Sequence, residues 1–114
     1  MSYHSQELSI LIVEDNPGDL FLLEELLRSS SLSLNHLYHA TTTAAAIEIL
    51  QEQTINLVFL DLSLPDSDGV NSYRFISKYA LSIPVIVLTG LTDMAVALET
   101  MSTGAQDYLI KGEF

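Results

Sequence analysis

Four short, nearly unbroken apolar runs set the architecture of this chain: Leu8–Val13 (LSILIV), Ile55–Leu60 (INLVFL), Ile83–Leu88 (IPVIVL) and the shorter Asp107–Ile110 (DYLI). A strand with one wet face alternates apolar and polar residues, whereas runs without alternation read as strands buried on both faces. A weaker candidate, Asn35–Ala40, lies between the first two. The intervening stretches carry helical spacing. Leu20, Leu23 and Leu27 share one face, with Pro17 suited to a first turn and Asn16 to the N-cap before it. A second helix is expected after Thr41–Thr43, burying Ala46, Ile47 and Leu50; a third from Val70 to Tyr79; a fourth from Asp93 to Met101, stopped near Gly104. Strand and helix thus alternate along the whole chain. The expected fold class is α/β, a doubly wound five-stranded parallel sheet with right-handed crossovers. With 114 residues and no repeat or linker, residues 1–114 read as a single domain.

Composition excludes several function classes. There is no cysteine, hence no disulfide framework, thiolate zinc site or cysteine nucleophile. Four basic residues against fifteen acidic ones give a net charge of −11, which repels nucleic-acid backbones and argues against direct nucleic-acid binding by this segment. No apolar stretch approaches the ~20 residues of a membrane span, and the N-terminus lacks the layout of a secretory signal. The expected address is cytoplasmic, away from membranes.

In an open parallel sheet, ligands bind beyond the carboxyl ends of the strands. The residues that end the runs are therefore informative: Glu14-Asp15 after the first, Asp61 after Ile55–Leu60, Thr89 and Gly90 after Ile83–Leu88, and Lys111 after the last. Met alone, each is an ordinary cap, loop acid, strand-end hydroxyl or exposed cation. Together they would crowd three carboxylates onto one edge. Two like charges ~4 Å apart repel by roughly 4 kcal/mol at an effective dielectric of ~20. Lys111 can neutralise one of them at most, and all-oxygen donors favour a hard divalent cation such as Mg²⁺ as the completion. Asp61 then has two open roles, metal ligand or nucleophile, since a carboxylate can attack phosphorus to give an acyl phosphate.

These residues, in this order, resemble the receiver domain of bacterial two-component response regulators. The matching stretches are ILIVEDNPGD, LVFLDLSLPDSDG, PVIVLTG and GAQDYLIKG, and the likeness runs from about Leu8 onward. The resemblance implies a flavodoxin-like sheet of strand order 2-1-3-4-5. It also implies a phosphoacceptor that takes its phosphoryl group on Asp61 from a sensor histidine kinase or phosphotransfer protein. Mg²⁺ would be held by Asp15, Asp61 and the backbone carbonyl of Ser63, with Glu14 assisting. Thr89 would move to hydrogen-bond the phosphoryl oxygens, Lys111 would pair with phosphate, and Tyr108 matches the aromatic that turns inward on activation. Such modules signal and are not enzymes in the ordinary sense, and they leave a homodimer open. Apolar Leu91 cannot orient an attacking water, so slow self-dephosphorylation is expected.

Other readings are weaker. A phosphohydrolase of the haloacid-dehalogenase type wants a carboxylate two residues after the nucleophile, where Ser63 stands. Flavin or dinucleotide binding wants a Gly-rich first loop, and EDNPGD is acidic. A receiver-like docking module that is never phosphorylated is the remaining alternative. Asp66 and Asp68 are expected in a solvated turn, and His4, His36 and His39 at surface or strand positions. The family pattern continues into a fifth helix beyond KGEF, so this segment is expected to be the N-terminal part of a longer protein.

Overall fold

A computed structural model describes residues 7–114; His4 lies outside them. Five parallel strands, β1 (Leu8–Val13), β2 (Leu34–Ala40), β3 (Leu57–Asp61), β4 (Val85–Thr89) and β5 (Asp107–Ile110), form one sheet of order β2-β1-β3-β4-β5. Four α-helices join them among the described residues: α1 (Pro17–Arg28), α2 (Thr43–Glu52), α3 (Gly69–Ser77) and α4 (Met94–Thr103). The doubly wound parallel sheet expected from the runs is formed, in the flavodoxin-like order that the resemblance implies.

The absence of alternation in the runs is explained by two separate cores. Along β1, Ile10 and Ile12 point to one face, where α1 delivers Leu23 and Leu27 and β3 delivers Phe59. Leu11 and Val13 point to the other face, against Val58, Leu60 and Val87, with Ala46 of α2, Ile76 of α3 and Ala97 of α4 packed over them. Each such side chain taken fully out of water contributes about 1.5–3 kcal/mol.

Element ends depart from the sequence expectation for local reasons. β3 starts at Leu57, two residues after Ile55, because Asn56 turns its amide oxygen to accept the Ser9 N–H at 2.8 Å while its own N–H donates to the Ser9 carbonyl at 2.8 Å. β4 starts at Val85: Pro84 has no N–H for a ladder, and Ile83 closes a turn by donating to Ala80 at 3.0 Å. A short 3-10 turn, Leu91–Asp93, precedes α4 and takes the place of its expected first residue. At α1, Asn16 Oδ1 accepts the Asp19 N–H at 3.0 Å and Pro17 opens the helix, as its spacing predicts.

Candidate functional site

Register carries the chemistry to one edge. Val13 of β1 is level with Leu60 of β3, so Glu14 and Asp61 follow side by side. Asp61 is in turn level with Leu88 of β4, and Thr89 with Ile110 of β5, which sets Lys111 one step beyond. The Lys111 N–H donates to the Thr89 carbonyl at 2.8 Å, continuing the ladder and fixing where its side chain starts. From there the ammonium reaches back across the strand ends. Lys111 Nζ lies 2.7 Å from Glu14 Oε1, 3.1 Å from Asp61 Oδ2 and 3.2 Å from Asp19 Oδ2.

One ammonium therefore serves three carboxylates, where the composition had suggested it would neutralise one. It still supplies a single positive charge, so the acidic excess expected at this edge is real. Glu14 and Asp61 are buried, at 1% and 3% exposure, while Asp15 faces solvent. Burial pushes the Glu14 carboxyl up to about 7; the adjacent Asp61 carboxylate pushes the same way, and Lys111 only partly opposes them. For Lys111, burial alone would lower the ammonium, but its hydrogen bond to Glu14 and the charge of Asp61 outweigh that and hold it above the ordinary lysine range. The cluster is thus one coupled unit with one cation too few.

Glu14, Asp15 and Asp61 each offer a carboxylate oxygen, and these atoms lie within 4.8 Å of one another. Three hard oxygen donors at that spacing, with two of them buried, fit a small divalent cation such as Mg²⁺ and suit neither a soft metal nor a tetrahedral zinc. Asp61 is further oriented by Ser63, whose N–H donates to Oδ1 at 3.1 Å. Thr89 is buried at the end of β4, and its hydroxyl donates toward the carbonyls of Gly90 and Asp93, at 3.2 and 3.3 Å. A cavity of about 160 Å³ lies beside it, lined by Ser63, Asp68, Thr89, Asp93 and Val96 among others. Tyr108 is half-buried on β5, packed against the core that α4 covers.

Two contributors were not singled out from sequence. Asp19, in the first turn of α1, reads locally as an acid favoured by the helix N-terminus, and its contact with Lys111 depends on β5 ending above that turn. His39 reads as an outward strand residue, yet its Nε2 lies 2.8 Å from the Glu14 carbonyl oxygen. A carbonyl only accepts, so Nε2 carries the proton there. The expected turn acids also differ from each other. Asp68 is exposed and makes no capping hydrogen bond to α3, whereas Asp66 accepts the N–H groups of Thr43 and Ala44. The His36 ring lies 5.5 Å from that of Tyr38 on β2, tilted by 49°, and His36 is not among the clustered Glu14, Asp15 and Asp61.

Comparison with known proteins agrees with this geometry. Residues 10–113 match the family described as the response regulator receiver domain. The chain is 32% identical over 104 residues to the transcriptional regulatory protein ZraR of Escherichia coli K12, covering 91% of this chain and 23% of that protein. It is 34% identical to the transcriptional regulatory protein BasR of the same organism, covering 91% and 46%. The chain spans about a quarter of the length of the ZraR relatives. Among solved structures it resembles the receiver domain of NtrX from Brucella abortus, with TM-score 0.81, 25% identity and coverage of 92% and 87%. It also resembles the receiver domain of the response regulator TorR, with TM-score 0.76, 28% identity and coverage of 92% and 84%. No described helix is long and apolar enough to cross a membrane. Matched along nearly its full length, with the fold and the acidic strand-end cluster in place, this chain belongs to the response regulator receiver domain family.

Proposed function

We propose that this domain is a phosphoacceptor: it takes a phosphoryl group from a histidine kinase or phosphotransfer protein onto Asp61, with Mg²⁺ as cofactor, in the cytoplasm. The observation that carries the reading is the setting of Asp61. It is a buried carboxylate fixed by the Ser63 N–H and the Lys111 ammonium, beside two further carboxylates positioned to share a cation.

In this reading Asp15, Asp61 and the Ser63 carbonyl hold Mg²⁺ and Glu14 assists. When bound, the ion would offset the negative charge of an incoming phosphoryl group, which otherwise meets several carboxylates and the single Lys111 ammonium at this edge. An Asp61 carboxylate oxygen attacks phosphorus and forms the O–P bond. The P–N bond to the donor imidazole breaks, its electron pair stays on that nitrogen, and the nitrogen takes up a proton. Lys111 exchanges part of its contact with Asp61 for the new phosphoryl oxygens.

The phosphoryl group itself carries about −1.5 to −2, so replacing the Asp61 carboxylate by the acyl phosphate adds roughly one negative charge and three acceptor oxygens. This group draws the Thr89 hydroxyl out of its contacts with Gly90 and Asp93, and the neighbouring cavity gives that movement room. Tyr108 then turns inward, and the surface around α4 and β5 shifts between two pre-existing arrangements. Leu91, apolar and 68% exposed at the start of the turn before α4, offers an attacking water no hydrogen bond, so the acyl phosphate is long-lived. ZraR and BasR are transcriptional regulatory proteins, which makes transcriptional control a natural output for a longer protein carrying this domain. The test is incubation with acetyl phosphate, with Mg²⁺ or with a chelator, followed by intact mass. One phosphoryl group gained in Mg²⁺ alone supports the reading; no gain in either condition refutes it.

A further inference from the structure

The segment between β3 and α3 is a small closed loop. The Leu64 N–H donates to Ser67 at 3.1 Å, the Gly69 N–H donates to Leu62 at 2.8 Å, and Ser63 and Asp68 pair as an antiparallel bridge. Its tip, Pro65-Asp66-Ser67, does not hang free. Asp66 Oδ1 accepts the Thr43 N–H at 2.9 Å, and Asp66 Oδ2 accepts the Ala44 N–H at 3.1 Å. These two N–H groups open α2, where no intrahelical partner exists for them. Their combined pull holds the Asp66 carboxyl below its ordinary range, against the opposing effect of slight burial.

The adjacent tip residue is tied as well. Ser67 Oγ lies 2.6 Å from Thr43 Oγ1 and 2.8 Å from Ser72 Oγ, so three hydroxyls link α2, the loop and α3. Thr43 and Ser72 are buried at 4% and 0% exposure, so this chain is shielded from competing water. The helix does not need the borrowed carboxylate as its N-cap: Thr42 Oγ1 already accepts the Ala45 N–H at 3.0 Å.

What the anchor does need to hold is Ser63. Ser63 stands at the base of the same loop and fixes Asp61 Oδ1 through its N–H. α2 follows β2, and β2 is paired with β1, whose Val13 is level with Ala40. Through Asp66, the loop carrying Ser63 is therefore fastened to the part of the scaffold that carries Glu14 and Asp15. We propose that Asp66 is a positioning residue, clamping the β3–α3 loop to the N-terminus of α2 so that Ser63 stays in register with Asp61 and Asp15 for the divalent cation. This rests on the phosphoacceptor reading for the cation and on the hydrogen bonds above for the clamp.

Three variants of the full chain separate this role from plain helix capping. Asp66→Ala removes the clamp, Asp66→Asn keeps one amide oxygen to accept, and Thr42→Ala removes the α2 cap without touching the loop. Two quantities are read: the Mg²⁺ dissociation constant by calorimetry, and the exchange rate of the Ser63 amide in metal-free protein by NMR. Supporting groups around metal ligands are worth about tenfold in affinity or more. Asp66→Ala is expected to weaken Mg²⁺ binding about tenfold and to speed Ser63 exchange, with Asp66→Asn between it and wild type and Thr42→Ala leaving both unchanged. Equal effects of Asp66→Ala and Thr42→Ala, or wild-type behaviour of Asp66→Ala, would overturn the clamp. If Asp66→Ala does not fold, Asp66→Asn decides: wild-type Mg²⁺ affinity and Ser63 exchange in it overturn the clamp, and a loss in both supports it. A wild-type protein that binds no Mg²⁺ sinks the phosphoacceptor reading instead, and the metal-free exchange rates still decide the clamp.

Discussion

The ammonium of Lys111 lies 2.7 Å from a Glu14 carboxylate that is 1% exposed, and the same ammonium is 3.1 Å from Asp61. Two buried acids from neighbouring strands thus lean on one cation from the far side of the sheet.

Removing that cation is costly. Taking away one member of a buried ion pair typically costs about 3–5 kcal/mol, because the partner charge is left uncompensated. Lys111→Ala should therefore lower the unfolding free energy of the chelated protein by about that much. Mg²⁺ should restore part of the loss, since it can take over the offsetting of Glu14 and Asp61. Denaturant unfolding with and without Mg²⁺ checks both statements; an unchanged midpoint would contradict the role given to Lys111.

Glu14 gives the site a pH dependence of definite sign. Its carboxyl is raised from 4.5 to about 7 in the folded protein, chiefly by burial. Between those values the folded state binds more protons than the unfolded state, so stability falls as pH rises. The contribution is fully present below 4.5 and is lost as pH climbs through about 7. In chelator, the Tm of wild type should drop between about pH 5.5 and about pH 8 by more than the Tm of Glu14→Gln. Mg²⁺ should raise the wild-type Tm more at the higher pH, where it no longer competes with the proton.

Asp15 is exposed and shares the carboxylate cluster. Asp15→Asn should relieve repulsion and leave the metal-free protein as stable as wild type or more so, by up to about 1 kcal/mol. The same change should abolish Mg²⁺-dependent stabilisation. Thermal unfolding across a Mg²⁺ series measures the two effects separately, and a Tm shift with Mg²⁺ equal to that of wild type would contradict the assigned ligand role.

Leu23 tests the fold rather than the site. It is fully buried between α1 and the β1–β3 face of the sheet. Leu23→Ala should cost about 2–5 kcal/mol, from lost transfer energy and the cavity left behind. Acetyl phosphate labelling at low temperature should persist in the folded fraction, because no site residue is touched.

Sequence legibility follows from how local each signal is. The run Leu8–Val13 was readable to the residue, since two-sided burial leaves a continuous apolar string; Asp107–Ile110 was readable from its short apolar run although this edge strand is only partly buried. The residues that end the four runs, Glu14, Asp61, Thr89 and Lys111, were readable because a parallel sheet puts all strand ends with the same polarity on one edge. Asp19 was not, because its pairing with Lys111 spans the width of the sheet, with β3 and β4 between β1 and β5. His39 was not, because strand alternation marks it as an outward residue and only the register beside β1 brings it to the Glu14 carbonyl. Asp66 looked like any turn acid, since nothing near it in sequence announces a helix start twenty-three residues earlier.

The most direct measurement locates the phosphoryl group itself. After reaction with acetyl phosphate and Mg²⁺, peptide mass mapping of wild type and Asp61→Asn should place a single base-labile, hydroxylamine-labile group on Asp61 and find none in the variant. A phosphoryl group on any other residue of wild type, or equal labelling of Asp61→Asn, would contradict the account.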